Sequence, residues 1–202
     1  MKKIISLCFA LCMICALSVS AFAADIDTNG GSGSTPVNLS STDDGTIGGD
    51  PSATAMSVTL PTALPMAMAQ NGDVTTADNC QIVNNSYGAV RIASVTITTA
   101  NGWKLTAFGD KTTLANEKVD SNKLGFALSV GNGTQTVTDN SDASSQRLIS
   151  APISGCYMSG VGNSASNKVD VEYSAIVTPL SSPVTEATVA TVIFVVEWDT
   201  AA

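Results

Sequence analysis

The sequence has no histidine in its 202 residues. This absence excludes Ser-His-Asp and Cys-His catalysis, imidazole general bases and zinc bound through histidine. No glycine-rich loop leads into a Lys-Ser or Lys-Thr pair, so a phosphate-binding loop is not indicated either. We therefore expect a protein that is not an enzyme and that uses no cofactor and no metal.

Basic residues are also few. The chain has 9 Lys and Arg against 17 Asp and Glu, and two of the bases, Lys2 and Lys3, stand at the extreme N-terminus. Without those two, seventeen acidic residues face seven basic ones, a net charge of −10. Such acidity argues against nucleic acid and anionic membrane surfaces as partners.

The first 23 residues have the composition of a secretory signal peptide. Lys2 and Lys3 precede the apolar run IISLCFALCMICALSV, and the small residues Ala21 and Ala23 follow it. We predict cleavage between Ala23 and Ala24, with an uncleaved membrane anchor as the alternative. The mature protein would then be secreted or displayed on the cell surface, with no membrane association after cleavage.

Cleavage would leave two of the five cysteines, Cys80 and Cys156. An even pair in an exported protein permits one disulfide bond. The alternative is two buried thiols, which pack as small apolar side chains.

Residues 24–54 are rich in Gly, Ser, Thr and Asp and contain five acidic residues but no base. This composition cannot compensate for the entropy lost on folding, so we predict a flexible acidic linker. Within it, Val37 and Leu39 alternate with polar residues, and residues 35–40 could add as an edge strand to a neighbour's sheet.

Residues 55–202 are predicted to form the folded domain, and residues 90–99 begin its most distinct pattern. They are dense in β-branched residues, and the Asn101-Gly102 pair that follows is typical of a β-hairpin turn. Strict alternation would place Val90 and Ile92 on one face of this strand and Val95 on the other.

Two strong strand patterns close the chain. Residues 169–177 alternate between apolar and polar side chains, and residues 187–198 are apolar on both faces, as in a central strand. With the shorter strands between Gly, Pro and Asn turns, we count about eight to nine strands. This number predicts an all-β fold, an antiparallel β-sandwich of the immunoglobulin-like or Greek-key type.

Several stretches carry a resemblance. SVTLPTALPMAMAQNGDVTTADNCQIVNNSYGAVRI, the NGW turn and the terminal ATVIFVVEWDTAA resemble secreted single-domain β proteins of unassigned function from Firmicutes-type gut bacteria. A more distant similarity is to WxL-type cell-wall-associated domains, because Trp103-Lys104-Leu105 matches their tripeptide. The second tryptophan, Trp198, has no leucine two positions later and departs from that pattern.

Three groups of residues are candidates for sites. Trp103 and Trp198 could form an exposed aromatic platform for glycans, or they could be core anchors. Asp139, Asn140 and Asp142 could bind calcium in a loop, or they could form a solvated turn. The third group consists of acidic residues that could pair for glycoside hydrolysis or could be ordinary surface charge: Asp170, Glu172, Glu186 and Glu197.

The sequence as a whole predicts a secreted or cell-surface, non-catalytic binding or adhesion module. The resemblance implies non-covalent association with the bacterial cell wall, with a cell-wall polymer or another surface protein as partner. The alternative is a structural subunit of an extracellular fibre or matrix, self-associating through its N-terminal segment.

Overall fold

The computed structural model describes residues 55–200. The predicted signal peptide (residues 1–23), its cleavage between Ala23 and Ala24, the linker (residues 24–54) and the segment 35–40 lie outside the described residues. The strands are β1 (Val58–Thr59), β2 (Met66–Met68), β3 (Val74–Thr76), β4 (Gln81–Asn84), β5 (Val90–Thr99), β6 (Lys104–Thr106), β7 (Lys123–Val130), β8 (Thr136–Val137), β9 (Ser145–Ile149), β10 (Tyr157–Met158), β11 (Lys168–Val177) and β12 (Ala190–Trp198). One short helix, α1 (Thr112–Ala115), lies between β6 and β7.

This element content confirms the prediction of an all-β fold. Within residues 55–200 there are twelve strands, more than the eight or nine expected. The difference arises because six of the twelve are only two or three residues long. Strands this short have no visible alternation in a sequence.

The strands form three sheets. The largest has the order β1-β4-β11-β7-β6, and β8 also pairs with β7. A four-stranded sheet has the order β10-β5-β12, and β9 also pairs with β5. A separate pair joins β2 and β3. All pairings are antiparallel except that of β6 with β7.

The long strand β11 lies inside the six-stranded sheet and has the predicted alternation as far as Ala175, after which Ile176 is buried as well. Val169, Val171 and Tyr173 are buried, while Asp170 and Glu172 between them are exposed. The Tyr173 ring stacks on that of Phe126 from β7, with the ring centroids 5.9 Å apart. One face of β11 therefore contributes to the core, and the other carries Asp170 and Glu172 but is covered at Ile176.

A β-bulge in β5 makes the predicted division of its faces wrong. Four apolar residues of β5 are fully buried: Val90, Ile92, Val95 and Ile97. On the partner strand β12, Val196 lies opposite Ile92. The preceding residue, Val195, lies opposite Ser94, so Ala93 has no residue opposite it. One extra residue reverses the alternation and puts both apolar pairs on the same face.

The Asn101-Gly102 turn forms as predicted, but the hairpin does not. Both residues have positive φ angles, 52° and 81°, and Trp103 N donates to Ala100 O at 3.0 Å, as in a type I′ turn. After the turn, β6 pairs in parallel with β7 of the six-stranded sheet. The turn thus connects two sheets, because β12 and not β6 pairs along the whole length of β5.

Strand β12 was expected to be a central strand, and the structure corrects this. Among the described residues it pairs with β5 alone and forms an edge of the four-stranded sheet. Its side chains alternate strictly between half-buried and exposed, and Ile193 and Val195 are 49% and 45% exposed. Buried apolar side chains from the two larger sheets form one hydrophobic cluster. The half-buried side chains of β12 pack against this cluster.

Tyr173 connects β11 to the segment before β4, and its removal should destabilise the fold. Its hydroxyl donates to Pro65 O at 2.5 Å and accepts from Ala77 N at 3.2 Å, and burial raises the pKa of the Tyr173 hydroxyl. We expect Tyr173→Phe to lower the free energy of unfolding by about 1–2 kcal/mol at neutral pH, because two backbone groups lose their partner.

The wild-type protein should also lose stability as the pH rises above about 10, because the phenol ionises more readily in the unfolded chain. Tyr173→Phe should lack this contribution. Urea unfolding at neutral and alkaline pH measures both effects. Tyr157→Phe, at a 47% exposed position, is the control. Equal losses in the two variants would contradict a specific role for Tyr173.

Candidate binding surface

The two tryptophans do not form a common platform. Trp103 and Trp198 are both half-buried and pack against the hydrophobic core. Trp198 lies opposite Val90 at the start of β5, whereas Trp103 follows the turn after its end. At the rise of a β-strand, the length of β5 separates them by roughly 30 Å. A Cβ built on Gly88 would lie 3.0 Å from the Trp198 ring, so this ring covers backbone.

Cys80 and Cys156 are buried free thiols in the structure, which is the alternative to the disulfide considered above. Cys80 immediately precedes β4 of the six-stranded sheet, and Cys156 immediately precedes β10 of the four-stranded sheet. Both belong to the hydrophobic cluster, where they pack as small apolar side chains.

The four candidate carboxylates are not all brought together. Asp170 is exposed on the six-stranded sheet and accepts a hydrogen bond of 2.7 Å from Gln81 Nε2, and Glu172 lies on the same exposed face. Glu197 belongs to β12 of the other sheet, and Glu186 lies in the connection before β12. The alternating strand explains the first two as surface charge, and the other two lie on different elements.

Two of the three residues of the candidate calcium loop direct side-chain oxygens at other residues of the protein, whereas Asp139 bonds through its backbone N–H, which donates to Gln146 Oε1 at 2.9 Å. Asn140 Oδ1 accepts a hydrogen bond of 3.3 Å from Thr106. Asp142 Oδ1 lies 3.9 Å from Lys123 Nζ, and the neighbouring Glu117 carboxylate raises the pKa of Lys123, which keeps it cationic. In the part of the chain that the structure describes, no group of three or more Cys, Asp and Glu side chains could hold a metal ion.

The most extensive candidate surface is the exposed side of the four-stranded sheet, here called the outer face. It consists of the side chains that alternate with the buried ones along β5, β9, β10 and β12. Its members are Arg91, Ser94, Thr96, Thr98, Ser145, Arg147, Tyr157, Thr191, Ile193, Val195 and Glu197. It combines hydroxyl groups, aliphatic side chains and a row that contains charges and an aromatic ring.

One end of the outer face is a row of hydroxyl groups across three strands. Thr98 lies opposite Ser145 on one side and Thr191 on the other. The hydroxyls of Thr98 and Ser145 are 3.1 Å apart and hydrogen-bonded. Hydroxyl groups both donate and accept, so this row can bind a polar ligand of either kind.

The other end is a row formed by Tyr157, Arg91 and Glu197, from β10, β5 and β12. Arg91 Nη2 lies 3.4 Å from Glu197 Oε2, and Arg91 Nη1 lies 3.9 Å from Asp199 Oδ1. Tyr157 is 47% exposed beside this ion pair. The row thus offers an aromatic ring next to a guanidinium that is paired with two carboxylates, an arrangement that suits a polar ligand without negative charge.

Sequence reasoning did not find Tyr157 or Arg91 as site residues. Tyr157 stands in a two-residue strand shortly after Pro152 and Gly155, where no periodicity is visible. Arg91 was one polar residue among many in β5. The only available signal was the scarcity of aromatic residues, since the chain has three tyrosines and two tryptophans.

No helix among residues 55–200 is long and apolar enough to cross a membrane. Comparison with protein-family models, with curated proteins and with solved structures finds no match to this chain.

Proposed function

We propose that the protein is a secreted or cell-surface, non-catalytic binding or adhesion module that associates non-covalently with the bacterial cell wall. In this proposal the two larger sheets form an antiparallel β-sandwich of the immunoglobulin-like Greek-key type. The observation that carries the proposal is the outer face, with its row of Tyr157, Arg91 and Glu197. The single hydrophobic cluster with side chains from both sheets supports the sandwich.

The chemistry of this row suits a carbohydrate polymer. The flat ring of Tyr157 can pack against the apolar side of a sugar, while its hydroxyl and the Arg91 guanidinium bind sugar hydroxyls. Thr98 and Ser145 supply further hydrogen-bonding groups along the sheet. Tyr and Arg are also enriched where proteins bind other proteins, so another surface protein remains a second kind of partner.

We expect Tyr157→Ala to lower the affinity for isolated cell walls at least about tenfold, as truncation of a central aromatic contact does. The assay is co-sedimentation of the exported chain, residues 24–202, with purified walls. Tyr87→Ala is the matched control, because Tyr87 is 84% exposed but stands in the turn before β5, off the sheet. Its affinity should be unchanged.

Circular dichroism would confirm that both tyrosine variants are folded. An equal loss of wall affinity in the two variants would contradict binding through the outer face. A wild-type chain that stays entirely in the supernatant would overturn wall association itself.

The alternative function, a structural subunit of an extracellular fibre or matrix, has its own supporting observation. Within residues 55–200, one edge of the nine-residue strand β12 has no partner strand, and a strand from another molecule could add there. In this alternative, residues 35–40 of a neighbouring molecule provide that strand. Polymers should then disappear when residues 24–50 are removed, while the domain stays folded.

A further inference from the structure

The edge strand β12 lacks the features that normally prevent edges from associating. Edge strands are usually very short, or they contain a lysine, a proline or a bulge. β12 is nine residues long, contains no lysine or proline, and has one charged residue, Glu197. Its exposed side chains include Ile193 and Val195. Among residues 55–200, β5 is the only strand that pairs with it.

The backbone groups at the free edge of β12 can be identified from its two ends. Before the strand, Val189 O accepts from Ala100 N at 2.9 Å, and after it Asp199 N donates to Ala89 O at 3.0 Å. At both ends, the backbone N–H and C=O groups of odd-numbered residues therefore point towards β5. Backbone groups alternate between the two edges of a strand, and the strict burial alternation of β12 indicates that it has no bulge. The even-numbered residues consequently present N–H and C=O groups at the free edge.

We propose that β12 pairs antiparallel with β12 of a second copy, around a two-fold axis at Phe194. The two edges are identical and an isologous contact is closed, so the product is a dimer. Only registers that place even-numbered residues opposite even-numbered ones bring free N–H and C=O groups together. Centring the axis on Phe194 meets this condition and pairs all nine residues of the strand.

The outer-face side chains agree with this register. Ile193 lies opposite the partner's Val195, and Val195 lies opposite the partner's Ile193, so the exposed aliphatic residues cover one another. Glu197 lies opposite the partner's Thr191, which keeps the two glutamates apart. With the axis moved one residue towards the C-terminus, Ile193 would lie opposite the partner's Glu197 and fewer residues would pair. The axis at Phe194 is therefore the register favoured by the side chains.

Dimerisation in this way would join two four-stranded sheets into one continuous sheet. The outer faces of both copies would share one side of that sheet, with the row of Tyr157 and Arg91 present twice. A polymeric partner could then be bound at two points, which raises avidity without any new contact. The dimer itself depends only on β12 and not on the proposed wall binding.

Analytical ultracentrifugation of the exported chain, residues 24–202, over a range of concentrations tests the proposal. We expect a monomer–dimer equilibrium in which Ile193→Lys raises the dimer dissociation constant at least about tenfold, because it places a charge against an aliphatic residue at two symmetric positions. Val195→Glu should weaken the dimer similarly. Both positions are exposed, so the fold should tolerate the changes.

Mixing the two variants tests the register. In a mixed dimer, the lysine at position 193 of one copy faces the glutamate at position 195 of the other, while the second outer pair keeps its native Val195 and Ile193. The mixture should therefore dimerise at least about tenfold more tightly than either variant alone. Val119→Lys is the control, since Val119 is 54% exposed and lies outside the strands. It should leave the dimer unchanged.

Three outcomes would overturn the proposal. The first is a wild-type chain that is monomeric at all concentrations, and the second is weakening by both variants without recovery on mixing. The third is loss of association on removal of residues 24–50, which would instead support strand donation by residues 35–40. Wall binding by Tyr157 is measured in a separate assay, so failure of one idea is distinguishable from failure of the other.

Discussion

Replacement of Asn84 by aspartate is expected to lower the free energy of unfolding by about 3 kcal/mol or more at neutral pH. Asn84 is fully buried, and its amide nitrogen donates to Gly88 O and Ser159 O, both at 2.9 Å. A carboxylate of nearly the same size would lose both donors and face two carbonyl oxygens. Its remaining contact, acceptance from Ser86 N, does not offset a buried charge.

The measurement is urea unfolding of the wild type and the variant between pH 7 and pH 4. The introduced carboxyl would favour its neutral form in the folded protein, so the destabilisation should decrease as the pH falls. Asn85→Asp is the matched control, because Asn85 is exposed and its amide nitrogen donates to the Thr59 hydroxyl at the surface. We expect it to change stability by less than about 0.5 kcal/mol. Similar losses of stability in both variants would contradict a specific role for the buried hydrogen bonds of the Asn84 amide.

Replacement of Gly155 by alanine is expected to cost about 3 kcal/mol or more. Gly155 has a φ of 91°, and a Cβ at this position would lie 2.5 Å from Val130 O and 2.6 Å from Gly133 N. The chain segments around Val130 and Gly155 approach so closely that a methyl group requires backbone movement. This steric cost adds to the roughly 1–2 kcal/mol that a positive φ costs any residue with a Cβ.

Gly102→Ala separates the two contributions. Gly102 has a similar φ of 81°, but a Cβ there would meet nothing within 4 Å. We expect this variant to lose only the conformational part, about 1–2 kcal/mol, in the same denaturant titration. If the two glycine variants unfold at the same denaturant concentration, the close approach at Gly155 is not significant for stability.

Local patterns in the sequence predicted the elements whose form depends on local physics. Residues 169–177 alternate in the sequence, and β11 has that alternation as far as Ala175 because each of these side chains meets either the core or solvent. Ile176 departs from it, since it is buried next to Ala175. Asn101 and Gly102 adopt the positive φ angles of a type I′ turn because these two residues tolerate them. The all-β class follows from the same density of strand patterns and turn residues.

Pairing partners could not be predicted in this way. The strands on either side of the Asn101-Gly102 turn separate into different sheets, because β12 competes for β5 from the far end of the chain. The bulge at Ala93 is another non-local effect, since it brings Val90 and Val95 onto the same buried face. Neither the choice of pairing partner nor the bulge can be recognised from the sequence of the strand itself.

The candidate surface shows the same limit. Trp103 and Trp198 are candidates from the sequence because tryptophan is rare and large, yet both are half-buried against the core. Tyr157 and Arg91 are 66 residues apart in the sequence numbering and become neighbours only through the pairing of β10 with β5. Their role as a row on the outer face is a property of the sheet.

The sequence by itself determined the all-β class, the turn at Asn101-Gly102 and the inward and outward sides of β11. These depend on residue conformation and on period-2 burial, which act over a few residues. The tertiary structure alone decided that β12 is an edge, that Ile193 and Val195 are exposed there, and that Tyr157 lies beside Arg91. Those outcomes depend on competition among distant strands for the same hydrogen-bonding edge, which no single stretch of sequence contains.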